Sequence, residues 1–123
     1  MSYTINYLED KNIVKVKVQY RVSYKVAQKY SIDAIRLAHE YDCNNFLIDH
    51  TQTAQEDGIY KIHTDGDALQ RFGFNSSDKI AIVISAEKND PNLFETKVSN
   101  IKWSNFKYFD SEEKAVLWLN GKV

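Results

Sequence analysis

Asp49-His50-Thr51 places a carboxylate, an imidazole and a hydroxyl side by side, directly after the apolar run Phe46-Leu47-Ile48. The run reads as a short strand ending at Asp49. In open α/β sheets, ligands bind beyond the carboxyl ends of parallel strands. The polar run Ser85 to Asp90 follows the next apolar stretch in the same way, so a site there would combine Asp49, His50, Thr51, Asp57 and Ser85. Asp49, His50 or Asp57 would be its acid or base, the side-chain types that transfer protons near neutral pH. The plainer reading has Asp49 bonding loop amides and His50 solvated, as polar residues in loops commonly are.

Other chemistry finds less support. His39, His50 and His63 show no His-x-x-x-His spacing, and the single Cys43 cannot form a Cys-x-x-Cys pair, so no metal site is expected. His39 lies three residues before Asp42, and His63 four before Asp67, spacings of solvated helix pairs. Cys43 reads as a small packed hydrophobe rather than a nucleophile. There is no Gly-x-Ser-x-Gly elbow, and Gly58, Gly66, Gly73 and Gly121 form neither a P-loop nor a dinucleotide fingerprint, so no cofactor is expected.

The elements that would position these residues follow from periodicity. Thr4 to Leu8 and Asn12 to Tyr20 read as two strands joined by the polar turn Glu9-Asp10-Lys11-Asn12, hence a hairpin. Val14, Val16, Val18 and Tyr20 alternate with Lys15, Lys17 and Gln19, giving one apolar and one lysine-bearing face. Ser23 to Asp42 reads as a helix capped by Ser23, with Val26, Tyr30, Ala34, Leu37, Ala38 and Tyr41 as its apolar stripe. A second helix is expected from about Asp57 to Phe72, terminated by Gly73.

Lys79 to Ser85 reads as a buried strand of a parallel sheet. A third helix opens at Asn89-Asp90-Pro91 and carries Leu93, Phe94, Val98 and Ile101. Phe106 to Phe109 is a last strand, and Asp110 with Glu113 has the spacing of a capping box for a terminal helix holding Ala115 to Leu119. The order β-β-α-β-α-β-α-β-α predicts an α/β fold, with a mostly parallel five-stranded sheet and an N-terminal antiparallel hairpin. Tyr20, Tyr24, Tyr30, Tyr41, Tyr60, Phe72 and Phe74 read as core first. Eight tyrosines are many for this length, and some would suit a ligand cavity or a subunit contact.

Composition sets the limits. The 123 residues make one domain, and 43% hydrophobic content suffices for a core without disulfides or metal. The net charge of -1 lacks the basic excess of a duplex binder, so nucleic acid is not an expected partner. The start MSYTINYLED lacks the pattern of a signal peptide, and Ile80 to Ile84 is far too short to span a bilayer. A cytoplasmic location without stable membrane insertion is expected.

Tyr7-Leu8-Glu9-Asp10, the Leu47-Ile48-Asp49 strand end, Phe94-Glu95-Thr96 and the closing Tyr108-Phe109-Asp110-Ser111-Glu112-Glu113-Lys114-Ala115-Val116-Leu117-Trp118-Leu119 together resemble the SpoIIAA-like family. That family is related to STAS domains and shares a fold with lipid-binding CRAL-TRIO domains. The resemblance covers nearly the whole chain in element order. It implies a β-α superhelix with strands in sequential order and helices mainly on one side of the sheet. STAS domains of the anti-sigma-antagonist type are phosphorylated on the Ser of an Asp-Ser pair. Counted from Asp49, that pair falls here on Asp57-Gly58, so the hydroxyl is missing. Thr51 and Thr53 are the hydroxyls in the same loop that could substitute.

Three functions are expected, in order. The first is a non-catalytic STAS-like module that binds a partner chain or itself, as a homodimer, through the less covered sheet face and the edge hairpin. The second is a carrier of a small apolar or lipid-like ligand, implied by the CRAL-TRIO resemblance. The third is an enzyme using Asp49, His50 or Asp57.

Overall fold

The computed structural model describes residues 3–20, 23–53, 68–75, 77–84 and 105–121. Strands β1 (Tyr3–Leu8) and β2 (Ile13–Tyr20), rich in the aromatic and β-branched residues that suit a pleated surface, pair antiparallel as the expected hairpin. In the turn, the Lys11 amide donates to the Leu8 carbonyl at 3.1 Å, and Asn12 takes a left-handed φ of 53°, which Asn tolerates better than most residues.

Helix α1 (Tyr24–Glu40) begins at Ser23, whose Oγ accepts from the Val26 amide at 3.2 Å. Ala27, Tyr30, Ala34 and Ala38 form its buried stripe. Tyr41, expected to belong to that stripe, is 51% exposed because it lies past the last helical residue, at the C-cap.

Then come β3 (Asn45–Thr53), α2 (Ala68–Phe72), β4 (Lys79–Val83), β5 (Phe106–Phe109) and α3 (Glu112–Leu119). The sheet runs in the order β1-β2-β3-β4-β5, and every pair after the hairpin is parallel. This is a mixed α/β sheet. Of the helix expected from Asp57, the described part is α2. The helix expected from Asn89 to Ile101 lies outside the described residues. Gly73 follows α2 with φ +108°, its amide bonded to the Gln70 carbonyl. A side chain there would be strained and would press on Ile35.

Strand alternation sorts the core into two layers. Val14, Val16, Phe46, Ile48, Ile80 and Ile82 face α1. Ile13, Leu47, Ala81, Val83 and Phe109 point the other way and are covered by Ala115 and Leu119 of α3. The last helix thus lies on the face opposite α1. Its cap is Ser111, whose Oγ accepts from the Lys114 amide at 3.2 Å, and not Asp110 as expected. Asp110 instead accepts from Lys114 Nζ at 3.1 Å. Lys15 of β2 pairs with Glu112 and ties the start of α3 to the sheet.

Candidate functional site

β3 does not stop at Asp49. It continues through His50 and Thr51 to Thr53, still paired with β2. The pairing carries a bulge: Lys17 faces Asp49 and Gln19 faces Gln52, two steps in β2 against three in β3. A bulge leaves one residue outside the regular ladder and re-aims the chain locally. Asp49 serves this distortion. Its Oδ1 accepts from the Thr51 amide at 2.8 Å and from Thr51 Oγ1 at 2.6 Å. Asp49 is thus engaged with a nearby amide, as the plainer reading held, although within a strand rather than a loop.

His50 is not solvated. It is 1% exposed, on the α1 side of the sheet, with Nε2 3.4 Å from Tyr30 Oη. Which of the two donates follows from the imidazole tautomer. Burial pushes the imidazole pKa down to about 4, with the neighbouring Asp49 charge opposing part of that shift. Burial also raises the Tyr30 hydroxyl well above its ordinary value. Tyr3 sets its ring edge against Tyr30, 5.9 Å between centroids, and donates to Asp33 Oδ2 at 2.7 Å. Burial and the Asp33 carboxylate together push the Tyr3 hydroxyl up to about 12.

Adjacent positions of a strand project to opposite faces, and Asp49 and His50 do so here. The sheet separates them, so they form no carboxylate–imidazole dyad. Thr51 stays with Asp49 and is exposed. Thr53 is the last residue of β3. Asp57, Gly58 and Ser85 lie outside the described residues. Sequence reading assigned Tyr30 to the core stripe and missed it as the partner of His50. No local signal links residues twenty positions apart on different elements.

On the Asp49 face, Lys17 occupies the adjoining position of β2, and Thr4 and Asn6 of β1 continue the polar surface toward the sheet edge. Thr4 and Asn6 are exposed, and Lys15 and Lys17 half-buried. A shallow groove of about 250 Å³ lies at the other end of this face, lined by Lys11, Glu112, Glu113, Val116 and Leu117. Among the described residues, no cluster of His, Cys, Asp or Glu is placed to hold a metal ion, and no helix is long and apolar enough to cross a membrane. No protein-family model matches the chain, and no curated protein matches its sequence.

Proposed function

We propose that the chain is a non-catalytic, STAS-like interaction module that binds a partner chain or a second copy of itself. The observation that carries this reading is the division of the face opposite α1. At one end α3 covers an apolar layer, and beyond it the surface turns polar, from Thr51 over the buried Asp49 and half-buried Lys17 to the exposed Thr4 and Asn6 at the edge strand. A mixed polar surface beside a strand edge that is open among the described residues suits a reversible contact. The reading is supported by strands that follow one another in sequence order across the sheet, as the SpoIIAA-like resemblance implies. Asp49 and His50 support an architectural role, since one closes a bulge and the other sits in the core.

The test is photo-cross-linking in the native cell. A photoreactive amino acid replacing Lys17 is expected to give a discrete protein adduct, and one replacing the exposed Arg36 of α1 to give none. No adduct from position 17, or the same adducts from both positions, would overturn the reading.

A further inference from the structure

We propose that a second copy of this chain pairs antiparallel with the outer edge of β1, across a twofold axis at Ile5. The proposal rests on the partner-binding reading above and names the partner. Among the described residues, β1 and β5 are the edges of the sheet. Soluble proteins blunt such edges with shortness, charge, proline or bulges. β5 has only four residues and carries Lys107. β1 has six residues, YTINYL, without charge or proline, and pairs with β2 from Tyr3↔Val18 to Leu8↔Ile13 in unbroken register. Among the described residues it is thus the edge without protection.

Its sequence is also self-complementary. A twofold axis perpendicular to a continuous sheet keeps each side chain on its own face, so residues an even number of positions apart oppose one another. With Ile5 on the axis, Tyr3 meets the partner's Tyr7, and Thr4 meets the partner's Asn6. Aromatic stands against aromatic on the α1 side and polar against polar on the other, with no like charges facing. An axis at Asn6 would instead set Leu8 against Thr4. The contact is isologous, as closed dimers require. Tyr41, half-exposed, stacks on Tyr7 at 4.0 Å between centroids and 11° between planes, and so stands at the rim of this junction.

Light scattering of the full chain is expected to give twice its 14.3 kDa. T4E/N6E alters two exposed side chains, faces Lys17 and Lys15 favourably within the hairpin, and sets glutamate against glutamate across the axis. It is expected to give the single-chain mass with an unchanged circular dichroism spectrum. T4E/N6K sets opposite charges at the same positions and is expected to remain dimeric. Hydrogen exchange of the unaltered protein gives the same decision without any substitution: the β1 amides directed away from β2 should be protected at high concentration and exposed on dilution. A single-chain mass at the highest soluble concentration, a dimer indifferent to T4E/N6E, or outward β1 amide exchange independent of concentration overturns the proposal. If such a monomer still gives a position-17 adduct with another protein, only the self-pairing fails. Loss of that adduct as well removes the partner-binding reading.

Discussion

Tyr30 Oη stands 3.4 Å from His50 Nε2, in the core between α1 and the third strand of the sheet. The pair joins a helix to the strand that begins the polar segment. It explains why an imidazole can be tolerated at 1% exposure, since a buried polar group without a partner is costly.

Acid should weaken the fold through His50. In the unfolded chain this imidazole takes up its proton near the ordinary value of 6.5, in the native protein only near about 4. Between these values the unfolded state holds more protons, so stability falls as the pH drops, by about 3 kcal/mol over the whole window. Above the window both states are neutral and the effect vanishes. His50→Gln, uncharged throughout, is expected to flatten the decline. Urea unfolding of both proteins at roughly pH 7 and pH 4.5 measures the difference. Equal losses in the two would show that His50 is not the group responsible.

Asp49 should matter to stability in proportion to its acceptor. Asp49→Ala removes the partner of the Thr51 amide and hydroxyl and is expected to cost about 2 kcal/mol. Asp49→Asn retains an oxygen in the same place and should cost less. Thr51→Val, which loses only the hydroxyl, should fall near about 1 kcal/mol. Equilibrium unfolding ranks the three, and an Asp49→Ala protein as stable as the parent would refute the role in closing the bulge.

The two residues before α3 should separate cleanly. Ser111→Ala removes the N-cap and is expected to cost about 1 kcal/mol. Asp110→Ala removes a solvent-exposed ion pair with Lys114 and should cost a few tenths of that. Thermal unfolding of the two variants decides, and the reverse order would restore Asp110 as the cap.

The features legible in sequence were those set by local period. The Val/Lys alternation of β2 correctly separated its two faces, and Ser23 and Gly73 marked real helix ends. The β3 boundary was not legible, because polarity suggests a loop whereas strand pairing uses only backbone groups. The strand runs on through His50 and Thr51 at the bulge, and Gln52 and Thr53 pair with β2, although these side chains carry no apolar run. The burial of His50 was hidden for a related reason: it depends on Tyr30, which only the fold brings near. Tyr41 has helical spacing, but the backbone leaves the helix before reaching it. Asp110 and Ser111 both qualify as caps by residue type, and only the geometry of the turn distinguishes them.

One tie at the hairpin end of the sheet also makes a clock. Cys43, the sole thiol of the chain, is 7% exposed and donates its S–H to the Asn12 carbonyl at 3.2 Å. Asn45 Nδ2 donates to the same carbonyl at 3.2 Å. At this exposure the sulfur is expected to react with an alkylating reagent mainly when the β1–β2 turn and the α1–β3 junction part. At reagent concentrations where labelling outpaces reclosing, the rate counts those openings and gives the kinetics of one end of the molecule without an introduced probe.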